Sequence, residues 1–442
     1  MEKKRRVIYK EYLTDALCGI ATLIGKPLVV IIGIIFIGYN CDSVKKATTY
    51  MAGVVIAYTL MNAIDCFCSM MMKRTFPDAQ KAFKQRNQQK QVEGLLQNIV
   101  VAIMISGIIL LLKEPIWILF KGIFRLEKSI LEQVAQYYHI AIWSVPFIAL
   151  NYVGIGWFAG NNEKKSGLWM CMGDYIAIVF VYIFVNQYKM GVSGMALAIL
   201  LGQMIVTVGG IFLVLRMKLN IRKHVLSHSI TWWPQNLYKD FMLYTDYWVK
   251  GLCTIAISIM VLVTTYIQGI DLLIASAFML QVKEVMASCF EGISYAVSQI
   301  AIRSKEENDM ELSREIHRIT LDTAMFLSIG WVIGYTLLGH KVKGSQEILN
   351  GIKNVFYYYD GWLIIYPIVA GTGLTMQGLY NGSKKKKNIK NIYLISIVIC
   401  FVVYANTKAH LGIHGMWLAI TVFYFIRTVG LLAYQGSLYK TE

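Results

Sequence analysis

The feature that most constrains this chain is the spacing of its apolar blocks, which fall near residues 13–39, 48–72, 93–112, 134–158, 167–185, 192–215, 241–267, 272–300, 319–338, 355–380, 392–405 and 413–434. A helix rising 1.5 Å per residue needs about 20 apolar residues to cross roughly 30 Å of hydrocarbon. In the bilayer core a segment must also satisfy its own backbone polar groups, which a helix does internally. The sequence therefore predicts an all-α polytopic membrane protein with twelve transmembrane helices. Charged residues make up 16% of the 442 and hydrophobic ones 56%, against about 25% charged in soluble proteins. The basic start, MEKKRRVIYK, precedes an apolar stretch too long for a signal-peptide core and without a small-residue cleavage site, so no removable leader is expected.

Twelve is even, so both termini lie on one side, and the basic residues indicate which. On the side of the N-terminus stand 28 Lys and Arg; the opposite side carries 11. Cytoplasmic loops are the ones enriched in Lys and Arg, so both termini are expected in the cytoplasm, with the chain in the plasma (cytoplasmic) membrane. The formal charge of +17 then needs no nucleic acid, because a positive face suits anionic lipid headgroups. The run Lys384 to Lys387 reads as part of that anchor. RMKLNIRKHVLSHSITWWPQN (216–236) is the linker between halves, giving an N-terminal six-helix lobe over 1–218, a cytoplasmic linker over 219–239 and a C-terminal lobe over 240–442. Its His224 and His228 lack further ligands and read as loop residues. The eight cysteines form no CxxC; seven lie in apolar blocks as packing residues, and Cys41 lies at a helix end.

The two halves repeat. GVSGMALAI (191–199) and GIHGMWLAI (412–420) share six of nine letters, and GWFAGNNEKK (156–165) aligns with GLYNGSKKKK (378–387). Gly160 and Gly191 are 31 residues apart, Gly382 and Gly412 30. Six spans per half insert both halves the same way up, relating them by an axis along the membrane normal. Glycines four apart, as at Gly156 and Gly160 or Gly378 and Gly382, let helix backbones approach closely where lipid offers no hydrophobic drive.

VPFIALNYVGIGWFAGNNEKKS, then MGVSGMALAILLGQ, their echo in spans ten to twelve, and IDLLIASAFMLQVKEVMASCFEGISYAVSQIAIRS with its late Gly292 resemble the multidrug and toxic compound extrusion (MATE) transporters of the MOP flippase superfamily. The resemblance implies twelve helices in two pseudo-symmetric six-helix lobes around a central cleft, and export of amphipathic, often cationic, compounds in exchange for protons or sodium ions. Relatives in the superfamily flip lipid-linked sugars. The chain departs from the family at the usual coupling carboxylates: the span-one acid position corresponds to Gly33, and the second-lobe positions fall near Thr254 and Ala370. No coupling residue is therefore carried over.

A charge at mid-bilayer costs about 2.5–3.5 kcal/mol on insertion scales and faces protein or a water-filled cavity, so the short roll of intramembrane charges holds the candidates for coupling or substrate contact. Asp65, in MNAIDCFCSMMM, is the best local substitute for the missing span-one acid, or else pairs with Lys26. Asp174, in WMCMGDYIAIVF, is a cavity residue or an interhelical hydrogen-bonding group. Asp246 and Lys250 share a helix face, as do Glu284 and Glu291, with Lys283 beside them. These form either a charged cavity wall in which a glutamate exchanges protons and a lysine changes partner, or a static ion-pair network. Arg427, in FYFIRTVG, reads as a structural partner for carbonyls or a carboxylate. Five acids against four bases leave a zwitterionic, anionic or amphipathic substrate open.

The function expected is secondary-active export of a small amphipathic organic compound by alternating access, by a monomer without cofactors in which H+ or Na+ is cargo. The alternative is a flippase for a lipid-linked precursor. A membrane-embedded transferase is remote, since neither DDxxD nor a membrane His/Asp pair occurs; without GxxxxGK[ST] no ATP hydrolysis is expected, and the chain is not expected to be an enzyme.

Overall fold

The computed structural model describes residues 2–217, 245–307, 309–338, 350–382 and 386–436. Among them there is no strand, and twelve helices are long and apolar enough to cross a membrane, from Tyr9–Tyr39 to Ile413–Ala433. The linker with His224 and His228, and Lys384 and Lys385, lie outside the described residues. Several helices outrun their apolar blocks. Span two continues through its basic end as Val44–Lys84, and span eight covers Ile270–Lys305, because the polar turns beyond the hydrocarbon still make helical hydrogen bonds in water.

Two compact units divide the chain: an N unit, Val29–Gly251, and a C unit, Leu252–Glu442 with Met1–Leu28. The split in span one falls beside Pro27, which sits inside its helix where a proline removes a backbone hydrogen bond. Within the C unit, the early turns of span one cross span eight at a glycine pair: a Cβ at Gly19 would meet the Gly292 carbonyl oxygen at 2.7 Å. Glu11 and Arg303 pair there at 3.0 Å, and the Tyr12 and Thr323 hydroxyls are 2.9 Å apart.

Burial follows the sequence repeat except in the last pair, where span six is 28% buried and span twelve 44%. Spans two and four are 56% and 50% buried and their counterparts eight and ten 61% and 67%, whereas spans three, five, nine and eleven stay below 30%. Spans two and four, and eight and ten, therefore form the unit cores. The paired glycines make this possible. A Cβ at Gly160 would strike Ala79 Cβ at 2.6 Å, and one at Gly382 would strike Ala301 Cβ at 2.6 Å; each contact lies 222 positions from its twin. In the twin phrases, Gly191 has φ +58° and Gly412 φ +53°, a left-handed conformation that glycine adopts without steric cost. The phrase is thus written twice because each final span of a half starts from the same turn. Met195 of the first copy is fully buried, and its Sδ would lie 2.6 Å from a Cβ at Gly33. Gly33, where the family resemblance would place a span-one acid, thus has a thioether packed against it.

Span five is broken. It comprises Lys164–Met170, a turn at Cys171 and Met172, Gly173–Val181 and a π-helix, Tyr182–Gln187. Its counterpart, Lys386–Leu411, is a continuous α-helix.

Candidate functional site: the polar cores of the two units

The N unit gathers its polar groups around Asp174. The break in span five starts a new helix inside the membrane, with Asp174 in its first turn, where the helix dipole favours a carboxylate. Gly173 and Gly202 let spans five and six close up: a Cβ at Gly202 would meet the Gly173 carbonyl and the Ala177 nitrogen. That approach brings Gln203 to the acid, and Gln203 Nε2 donates to Asp174 Oδ1 at 3.0 Å. Gln203 Oε1 accepts from Asn151 Nδ2 of span four at 2.8 Å. Thr207 Oγ1 lies 2.8 Å from Asn151 Oδ1 and 2.9 Å from the Gln203 carbonyl, so its one proton serves one of them at a time. Amides and a hydroxyl from spans four and six thus form a chain ending on a half-buried carboxylate of span five. Tyr137, Tyr175 and Cys171 are close enough to feel its charge.

Asp65, half-buried in span two, accepts from the Tyr152 hydroxyl of span four at 3.2 Å to Oδ2 and 3.4 Å to Oδ1. Lys26 is half-buried on span one, and Lys250 half-buried on the helix Thr245–Gln268. Asp246 lies on the same helix, but its side chain falls outside what the structure describes. The buried Arg74 donates to Asn98 at 2.7 Å; it sits in the helical extension of span two, which read as loop in the sequence.

The C unit reverses the polarity. Lys283 is buried and donates to Glu284 Oε1 at 2.6 Å and to the Tyr424 hydroxyl at 3.2 Å. Its ammonium also lies 5.3 Å from the Tyr424 ring and 5.6 Å from the Tyr366 ring, within range of cation–π attraction. Arg427, buried as well, lies over Tyr393 and Tyr424 at 5.0 and 5.5 Å and reaches Gln377 Oε1 at 3.5 Å. Its neighbours are thus rings and an amide, with Glu291 acting on it as a nearby charge. Glu291 is half-buried.

The repeat sets these cores in register. Span six and span twelve align at a separation of 221, so Thr207 corresponds to Thr428. Both threonines reach a span carbonyl, Phe147 at 3.4 Å and Val369 at 2.7 Å. In the same register Gln203 corresponds to Tyr424 and Val206 to Arg427; at the separation of 222 that holds earlier in each half, Asp174 corresponds to Ser396 and Met61 to Lys283. Inspection for charged letters finds Asp174 and Lys283 but not Asn151, Tyr152, Gln203, Thr207 or the tyrosines. Of these, only Thr207 has an identical counterpart in the repeat, Thr428, while Asn151 and Tyr152 correspond to Gly373 and Leu374.

No protein-family model matches the chain. DNA damage-inducible protein F of Escherichia coli (strain K12) is 23% identical over 385 residues, covering 87% of this chain and 83% of that protein. A solved inward-facing multidrug resistance MATE family transporter of the MOP superfamily matches with a TM-score of 0.72 at 15% identity, over 94% of each chain. An outward-facing structure of such a transporter matches with a TM-score of 0.71 at 15% identity, over 98% of this chain and 96% of that one. The chain has the MATE transporter fold, twelve membrane helices in two lobes.

Proposed function

We propose that this chain, on the fold of the MATE transporters, is a secondary-active exporter that moves a small amphipathic organic compound out of the cytoplasm in exchange for protons or sodium ions. The observation that carries the reading is the Thr207–Asn151–Gln203–Asp174 chain. Coupling needs a group whose ligation differs between two states of the protein, and ionisable residues inside membrane spans mark ion and proton pathways. Protonation of Asp174, or a sodium ion held by its carboxylate and the amide oxygens, turns Gln203 and with it the Asn151 and Thr207 bonds in spans four and six. Asp65 with Tyr152 is the second coupling candidate in the N unit. Glu284 and Glu291 are the candidates in the C unit, and the monomer, with lobes 1–218 and 240–442 and both termini cytoplasmic, is the functional form.

The test is exchange in vesicles with pH, sodium and membrane potential set independently, using a fluorescent amphipathic compound as reporter. Gradient-driven export lost in Asp174→Asn while the protein stays folded supports the reading. Transport that continues unchanged after both ion gradients are collapsed refutes it.

A further inference from the structure

Lys283 is 4% exposed and Arg427 3%, while the residues at their repeat positions, Met61 and Val206, are buried apolar side chains. Burying an ion costs several kcal/mol unless it is well paired, so the C unit carries a cost at these two places that its sister unit does not. Lys283 meets Glu284 and Tyr424, as described. Arg427 is different: a guanidinium offers five N–H donors in a planar fork, and its hydrogen-bond acceptor among the described residues is Gln377, at 3.5 Å.

A second observation lies beside it. The Tyr366 hydroxyl is buried, in a residue 4% exposed, and has no hydrogen-bond partner among the described residues. The Tyr366 ring stands edge-on to Tyr424 at 5.0 Å. Lys283, Arg427 and Tyr366 therefore converge on one ring, that of Tyr424, bringing two positive charges and donors with unused capacity.

We propose that this cluster is a recognition site for the anionic group, a carboxylate, sulfonate or phosphate, of an organic acid. The Arg427 fork and the Tyr366 hydroxyl donate to the anion, Lys283 supplies charge, and the tyrosine rings take the apolar body. Glu284, 43% exposed in its side chain, stands in for the anion on Lys283 when the site is empty and is displaced into more polar surroundings when an acid binds. That the acid is cargo rests on the export reading; that it binds does not.

Binding is measured on the full-length protein in detergent, without any ion gradient, as ligand-induced thermal stabilisation by four matched probes: 2-naphthoate, naphthalene-2-sulfonate, 2-naphthamide and 2-naphthylmethylammonium. Both acids should stabilise the protein, and the amide and the amine should not. Tyr366→Phe, which removes one oxygen and leaves the packing, should weaken acid binding about tenfold, the equivalent of ~1.4 kcal/mol. Glu284→Gln should tighten it several-fold by removing the competitor, an effect that a purely structural ion pair would not produce. Stabilisation by the amide equal to that by the acids, or acid affinities unchanged in both variants, overturns the proposal. Phosphatidylglycerol added in mixed micelles distinguishes the source of the group: a Tyr366-dependent response to the lipid without one to the soluble acids makes a lipid headgroup the ligand of these donors. A protein that binds acids as described and exports nothing under any gradient keeps this site and loses the export reading.

Discussion

Gln203 holds the Asp174 carboxylate at 3.0 Å, and it can do so because neither Gly173 nor Gly202 has a side chain. A Cβ at Gly173 would lie 2.8 Å from the Gln203 amide itself. The bond thus depends on two absences as much as on two polar groups.

Removing the amide should separate coupling from folding. Gln203→Leu leaves Asp174 and Asn151 each without this partner, and a buried polar group left unmatched costs about 1–3 kcal/mol. Gradient-driven exchange in vesicles should fall at least tenfold, and Asp174→Asn should fall as far. A Gln203→Leu protein that exchanges at the wild-type rate would remove Gln203 from the mechanism.

Glycines of the interior and of the lipid face should behave oppositely. Gly202→Val drives atoms into backbone of span five, and overpacking costs typically about 1–3 kcal/mol. Gly107 has open space where a Cβ would stand, and exchanging glycine for alanine in a helix gains up to about 1 kcal/mol. Thermal unfolding in one detergent should show Gly202→Val melting below the parent and Gly107→Ala at or above it.

The vacant acid position can be reopened. Gly33→Asp alone puts a carboxylate against the buried Met195 and should lower the melting temperature. Gly33→Asp with Met195→Ala, which clears the thioether, should recover much of that loss. Equal melting temperatures for the single and double variants would show that Met195 is not what closes the site.

Cys41 reports sidedness, because it lies between spans one and two. In a protein whose other seven cysteines are replaced by alanine or serine, a membrane-impermeant maleimide should label it from outside intact cells. Labelling only after the cells are opened would reverse the proposed orientation. Burial pushes this thiol above its usual pKa, with Asp42 adding to the shift and Lys46 opposing it. The thiolate is the reactive form, so labelling should be slower near pH 7 than for a solvated thiol and should keep rising at pH values where that thiol has levelled off. Lys46→Ala should slow it further, and Asp42→Ala should speed it.

The twelve spans were legible because hydrocarbon thickness imposes a length on every one of them, and the repeat because its glycines fill the same contacts twice. The polar cores were legible only where they carry charge. Asp174 and Lys283 stand out in apolar blocks, whereas Asn151, Gln203 and Thr207 pass as ordinary tolerated polar letters until packing brings them together. Arg74 was missed for the opposite reason. It sits in a basic stretch that reads as cytoplasmic loop, and only the continuation of span two buries it. Arg427 was visible, but its surroundings of tyrosine rings and the Gln377 amide, with Glu291 as a nearby charge, depend on how spans eight, ten, eleven and twelve pack.

The π-helix at Tyr182–Gln187 accounts for a small discrepancy between the halves. The marker glycines are 31 residues apart in the first half and 30 in the second, and a π-turn is how a helix accommodates one residue too many. The π-turns take up that residue within span five itself. Asp174 lies before the π-helix. Asn186 lies within it, and there it meets Asn40 at 3.1 Å. Deleting a single residue from this segment would return the two copies to equal length.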